Sequence, residues 1–373
     1  MHEQFDNKDY GEYFSAIEKR LDSNSKNNTQ KIQHESKKKK RRLFGGVLRL
    51  RPWVIITVLA ITILAVIVCV LPKNKVQQNV DKNKTEPIEN VASGIKDDKN
   101  TNEKTDLYAK YTTDTAQISA EIESKNVIVI NCDTNKVVAA RGADVRCYPA
   151  STTKVMTILT AVDYITDYSK TFTFSFEITD PLYIAEATVA GFSAGEAINM
   201  TDMLYGAILP SGADATVGLA LSISGSEEKF VDLMNKKADE LGLKNTHFVN
   251  TSGLFDENHY TTPEDMAVII REAMKNDLCR KILSTYQYTT AATPQHPEGI
   301  QLTSTLFSHM YGTEPEGADI LGGKTGFVNE SGYWIASFGK SDGGTEYVCV
   351  TFAGNGLWPS VYDQFHLYEQ YAK

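Results

Sequence analysis

The chain has 373 residues, 42% of them hydrophobic, with 38 Lys and Arg against 47 Asp and Glu, a net charge of −9. Residues 117–373 hold 17 Lys/Arg and 32 Asp/Glu, net −15, which argues against nucleic acid as a partner. Their length suits one large domain or two lobes.

Residues 1–51 are the exception to the acidity. They hold thirteen Lys/Arg and seven Asp/Glu, net +6, and end in Lys37-Lys38-Lys39-Lys40-Arg41-Arg42, Arg49 and Arg51. Residues 53–71 follow without a charge, with only Thr57 and Thr62 as hydroxyls. Nineteen such residues are long enough to cross a bilayer core as a helix. By the positive-inside rule the basic tail stays in the cytoplasm and the rest is exported. A cleaved signal peptide would need a shorter apolar core and a small-x-small site, but the run ends Val70-Leu71-Pro72-Lys73-Asn74. The expected layout is a cytoplasmic tail at 1–51, a transmembrane helix at 52–72, a disordered stalk at 73–116 and a catalytic domain at 117–373. Residues 73–107 hold no aromatic side chain and cannot bury enough surface to fold. As a flexible chain they would reach roughly 30 Å.

In the exported part, 126–131 is a β-rich run, 133–136 a turn and 137–140 a returning strand, so a hairpin is expected. Amphipathic helices are expected at 200–209, 214–223, 227–241 and 263–275. Strands resume at 333–338 and 346–352, and 361–371 closes the chain as a helix. The expected fold is α+β, an antiparallel sheet built from both chain ends, flanked by helices and interrupted by a mostly helical lobe.

The chemistry concentrates in three short elements. Ser151-Thr152-Thr153-Lys154 is weak evidence alone, and so is Lys324-Thr325-Gly326. Together, with Ser211-Gly212-Ala213 between them, they point to an active-site serine acyltransferase. A serine hydroxyl needs a base within hydrogen-bond reach to become a nucleophile. Residues three apart share a helix face, so Lys154 can aim its amine at Ser151. Pro149-Ala150 suits a helix start, where backbone N–H groups also favour developing negative charge.

Other chemistries are less well supplied. His247, His259, His296, His309 and His366 form no metal-binding spacing, so no metal and no cofactor are expected and these histidines are read as structural. Cys132, Cys147, Cys279 and Cys349 lie where disulfides are permitted. A Cys132–Cys147 bridge is one option, and connectivity cannot be read from sequence.

Tyr148-Pro149-Ala150-Ser151-Thr152-Thr153-Lys154, Ala194-Gly195-Glu196 with Leu204 to Gly212, Thr246 to Leu254 with His259-Tyr260-Thr261-Thr262, and Gly323 to Gly326 with Ser331-Gly332-Tyr333 carry a resemblance. Residues 117–373 resemble the serine-type D-alanyl-D-alanine carboxypeptidases, the low-molecular-mass penicillin-binding proteins. That resemblance implies a β-lactamase/DD-peptidase-like fold and a membrane-anchored hydrolase of peptidoglycan stem peptides ending in D-Ala-D-Ala, inhibited by β-lactams. It implies Ser151 as nucleophile, Lys154 as base and Ser211 as proton relay. Lys324 and Thr325 would bind the substrate carboxylate, Gly326 would let the substrate strand approach, and the N–H groups of Ser151 and Phe327 would form an oxyanion hole. The 246–262 segment is placed outside the catalytic centre.

Two departures stand out. The family's second motif reads Ser-x-Asn, where this chain has Ala213. Residues 311–322 look like an enlarged loop before the third motif. Ala213 keeps open a catalytically weakened penicillin-binding or wall-sensing protein, and DD-endopeptidase action is a variant of the same chemistry. A class A-like β-lactamase would need a Glu-x-x-x-Asn loop, and the nearest string, Glu240 to Asn245, is off by one.

Overall fold

The hairpin is formed by β2 (Asn126–Asn131) and β3 (Lys136–Arg141), which pair antiparallel. The structure is a computed structural model that describes residues 107–310 and 313–373. The chain falls into two units, 1–98 and 99–373, and all described residues lie in the second. The basic tail, the apolar run at 53–71 and most of the expected stalk are outside the described residues. Among the described residues no helix is long and apolar enough to cross a membrane.

The central sheet has six strands in the order β1-β3-β2-β10-β9-β8, with β1 at Ala116–Gln117, β8 at Ala318–Val328, β9 at Gly332–Ser341 and β10 at Glu346–Gly354. The expectation of a sheet built from both chain ends holds, because β2 pairs directly with β10. It is not wholly antiparallel, since the short β1 runs parallel to β3. Two small ribbons lie in the middle of the chain, β4 (Thr171–Thr173) with β5 (Ala197–Asn199) and β6 (Gln287–Thr289) with β7 (Gln301–Thr303).

Successive strand side chains point to opposite faces. Ile128, Ile130, Val348 and Val350 therefore face the main core, with Trp334 and Phe338 of β9, while Val127, Val129, Tyr347 and Cys349 face the other side. The second face is covered by α9 (Leu357–Tyr371) through Leu367 and Tyr368. The first is covered by α1 (Thr153–Tyr164) and α6 (Pro263–Lys275), with α3 (Met200–Ile208), α4 (Ala213–Ser224), α5 (Glu227–Glu240) and α7 (Asp277–Leu283) forming the helical lobe. Two further short helices are α2 (Phe176–Ile184) and α8 (Thr305–Met310). The start of α6 shows why these boundaries were legible. Thr262 accepts from the Asp265 N–H, Pro263 occupies the first turn and Lys275 the last.

The domain starts before residue 117. Lys244 N–H donates to the Tyr108 hydroxyl at 3.0 Å, and Tyr108 and Tyr111 hydrogen-bond the carboxylates of Asp265 and Glu264. Arg271 holds the Leu107 carbonyl at 3.0 Å. Residues 107–116 are thus fastened by two tyrosines rather than by an apolar run, and the stalk boundary at 116 is too late. The enlarged loop at 311–322 is also shortened, because 318–322 belongs to β8.

Candidate active site

Ser151 sits in a single 3-10 turn, Ala150–Thr152, that runs directly into α1. The turn is tied down on both sides. Cys147 exchanges two backbone hydrogen bonds of 2.9 Å with Thr261, and the Ser331 hydroxyl donates to the Tyr148 carbonyl at 2.8 Å. Ala150 has φ +50°, a left-handed conformation that costs a non-glycine residue roughly 1–3 kcal/mol and persists only where its surroundings enforce it.

One turn on, Lys154 is buried, and its Nζ lies 2.9 Å from Ser151 Oγ and 2.5 Å from the Ser252 carbonyl oxygen. Burial lowers its pKa to about 7, against the pull of the Asp214 carboxylate. A neutral amine can accept the proton of a serine hydroxyl, which an ammonium cannot.

The Ser252 carbonyl belongs to the segment that the sequence placed outside the centre. That placement is wrong, because residues 250–254 form the wall behind Lys154. Thr157 Oγ1 donates to Thr251 O at 2.7 Å, and Glu227 Oε1 accepts from Thr251 N–H at 2.9 Å and from its hydroxyl at 2.7 Å. His259 braces the same wall. Val249 N–H donates to its Nδ1 at 3.2 Å, so Nε2 carries the proton shared with Thr153 Oγ1 at 2.8 Å. Burial pushes its pKa down to about 3, which keeps it neutral and structural.

Lys324 is equally buried, and its Nζ donates to the Thr325 carbonyl at 2.8 Å. Burial and the neighbouring Lys154 hold it well below the usual lysine range. The Thr325 hydroxyl lies 2.7 Å from that of Thr305. Gly326 packs closely on the turn itself. A Cβ there would lie 3.1 Å from the backbone nitrogens of both Ser151 and Thr152. Its missing side chain faces the nucleophile turn. Phe327 is half-exposed and packs at a tilt against Tyr333 with ring centroids 4.5 Å apart.

Ser211 is buried, has φ +69°, and its Oγ has no hydrogen-bond partner. An unpaired buried hydroxyl is costly unless something else uses it. Ala213 is packed in the main core at the start of α4, its N–H held by Thr188 O at 2.8 Å. Asp214, which the sequence did not single out, accepts from the N–H groups of Ala190, Gly191, Phe192 and Ala215 at 2.7–3.2 Å.

Cys132, Cys147, Cys279 and Cys349 are free thiols, so the Cys132–Cys147 option is not taken up. Burial raises Cys132 to about 11 and Cys279 to about 12, which keeps both protonated and poor nucleophiles. Glu240 lies on the surface beside Lys236 at 3.5 Å, and not in a β-lactamase-like loop.

The geometry agrees with the comparison to known proteins. The profile of the D-alanyl-D-alanine carboxypeptidases matches residues 111–355. The chain belongs to this family. The D-alanyl-D-alanine carboxypeptidase DacF of Bacillus subtilis is 34% identical over 239 residues, covering 62% of this chain and 58% of that relative. The D-alanyl-D-alanine carboxypeptidase of a Streptomyces strain is 28% identical over 252 residues, 65% of this chain and 85% of that one. A crystal structure of the Streptomyces K15 DD-transpeptidase superimposes with a TM-score of 0.61 at 27% identity, over 68% of this chain and 99% of that one. The chain therefore spans little more than half the length of the Bacillus carboxypeptidase it matches.

Proposed function

We propose that the chain is a membrane-tethered serine D-Ala-D-Ala carboxypeptidase that trims peptidoglycan stem peptides. The observation that carries this reading is the buried Lys154 amine 2.9 Å from Ser151 Oγ, with Lys324 and the unpartnered Ser211 hydroxyl as the remaining motif groups. Ser151 Oγ attacks the carbonyl of the penultimate D-Ala, and its proton passes to Lys154. The backbone N–H groups of Ser151 and Phe327 hold the oxyanion, where losing one donor costs about 3 kcal/mol. Ser211 relays the proton to the leaving amine as the C–N bond breaks. Water then attacks the ester, releases the shortened peptide and restores Ser151.

The two lysines share one task in turn. Close buried ammonium groups repel, so the pair does not hold two protons comfortably. An arriving substrate carboxylate favours the charged form of Lys324, which leaves Lys154 neutral as the base. β-Lactams acylate Ser151 because they present a strained amide and a carboxylate in the same relation. Steady release of D-Ala from a pentapeptide ending in D-Ala-D-Ala tests the reading, and acylation without release would favour the wall-sensing alternative instead.

The rate constant for penicillin acylation of the free protein is expected to rise tenfold per pH unit up to about pH 7 and then level. Lys154 has its pKa depressed to about 7, so it is protonated below that pH and neutral above it. A profile flat between pH 5.5 and 8 would remove Lys154 from the role of base.

Ala213 bears on turnover. Its Cβ is in the core, and the adjacent Gly212 has no room for one, since a Cβ there would lie 2.7 Å from both Ala190 N and Gly206 O. Forcing a larger polar side chain into such a turn costs about 1–3 kcal/mol. Ala213→Asn is therefore expected to lower the melting temperature and not to raise D-Ala release. A tenfold gain in turnover would show an ordinary site merely lacking its asparagine.

The tether rests on the uncharged run at 53–71 behind its basic flank. Protease added to wall-stripped cells is expected to remove the domain from 107 onward and to spare residues 1–51. Protection of the domain would reverse the topology.

A further inference from the structure

Thr305 lies outside the three motifs, yet it joins two of them. It opens α8, directly after β7. Its backbone N–H donates to the Leu209 carbonyl at 2.9 Å, in the segment that leads to Ser211. Its hydroxyl lies 2.7 Å from the Thr325 hydroxyl on β8. One residue thus stitches the helical lobe to the strand that carries Lys324, Thr325 and Gly326.

We propose that Thr305 is a positioning residue that fixes the direction of the Thr325 hydroxyl proton and so sets the preference for acyl donors with a free terminal carboxylate. This rests on the acyl-transfer reading above. A hydroxyl has one proton to donate and lone pairs to accept with. To stabilise a carboxylate, Thr325 must donate to it, and its oxygen is then available only as an acceptor toward Thr305. The contact therefore runs from Thr305 to Thr325 to the substrate. A donor polarised by a second donor makes the stronger hydrogen bond, and a charged acceptor roughly doubles it.

The backbone of Thr305 is held independently of this contact. Its carbonyl takes His309 Nδ1 at 2.5 Å and the Ser308 hydroxyl at 3.3 Å, and its N–H is committed to Leu209. The Cα–Cβ bond of Thr305 is consequently presented at a fixed place before its hydroxyl meets Thr325. Lys324 is fixed in the same region by its bond to the Thr325 carbonyl.

The test uses the full-length chain in detergent with two donors, one acetylated peptide ending in D-Ala-D-Ala and the same peptide as its C-terminal amide. The readout is the ratio of their kcat/KM values, which does not depend on the fraction of protein that is folded. Thr305→Val is expected to lower the ratio tenfold or more, through KM for the carboxylate donor, and Thr305→Ser to restore it. Thr325→Val should lower it equally, and the double variant should be no worse, since both remove one chain of hydrogen bonds. An unchanged ratio in Thr305→Val, an equal loss for both donors, or additive losses in the double variant would each overturn the proposal while the reaction stands. A wild-type chain inert toward both donors would overturn the reaction, and this role with it.

Discussion

Ser151→Ala is expected to abolish covalent labelling by penicillin, and Lys154→Ala to slow it about 10⁴-fold or more, the scale seen when a nucleophile or its base is removed from an enzyme. The size of the Lys154 effect follows from its surroundings. Its Nζ has two hydrogen-bond partners, Ser151 Oγ and the Ser252 carbonyl, whereas the neighbouring Lys324 amine is bonded to the Thr325 carbonyl. His259 is the nearest titratable alternative along the wall. Its Nε2–H is committed to Thr153, its Nδ1 to Val249, and its pKa of about 3 makes it a weak base. Lys154→Arg separates a base from a mere positive charge. A guanidinium stays protonated, so that variant should be as slow as the alanine. Folding is read in parallel by the melting transition, since a truncated buried lysine removes a desolvated amine and need not destabilise. Labelling of Ser151→Ala, or near-normal rates for Lys154→Arg, would sink the assigned roles.

The motif residues were legible because the chemistry restricts residue type and spacing at once. Three-residue spacing on a helix places Lys154 over Ser151, and that relation needs no knowledge of the rest of the fold. The helix limits at α6 and α5 were legible through Thr262 and Ser226, whose side chains cap the N-termini. The supporting wall was not legible in the same way. Ser252 acts through its carbonyl, which every residue has, so nothing in its side chain advertises a contact with Lys154. Thr305 is one of many threonines, and only the pairing of α8 against β8 brings it to Thr325. Asp214 reads as an ordinary acid on a helix first turn, yet it gathers the amides of 190–192 beside the second motif. The start of the domain was misplaced for a related reason. Tyr108 and Tyr111 work through their hydroxyls against acids in the first turn of α6, more than a hundred residues away, and periodicity carries no trace of that. The parallel pairing of β1 with β3 rests on two residues, too few for any pattern.

Gly253→Ala is the substitution for which the wall behind Lys154 predicts the greatest damage away from the motif residues. Gly253 has φ +82°, and a Cβ there would lie 1.8 Å from the Ala150 carbonyl oxygen and 3.0 Å from Ser151 N. Both neighbours are backbone, so no rotamer change relieves the overlap. Either the 250–254 wall retreats, taking the Ser252 carbonyl from Lys154, or the nucleophile turn shifts at Ala150, which is already held at φ +50°. The expected loss is at least about 3 kcal/mol, combining the left-handed backbone term with displaced packing. For a domain of this size that is roughly 6–12 °C in melting temperature. Gly225→Ala is the control. Gly225 caps α4 at φ +83° with nothing within 4 Å of its Cβ position, so it carries the backbone term alone, about 1 kcal/mol. The control should keep its penicillin acylation rate, while Gly253→Ala should lose it by a hundredfold or more in the fraction that remains folded. Equal melting shifts in the two variants, with acylation preserved in both, would show that the wall yields without moving the nucleophile.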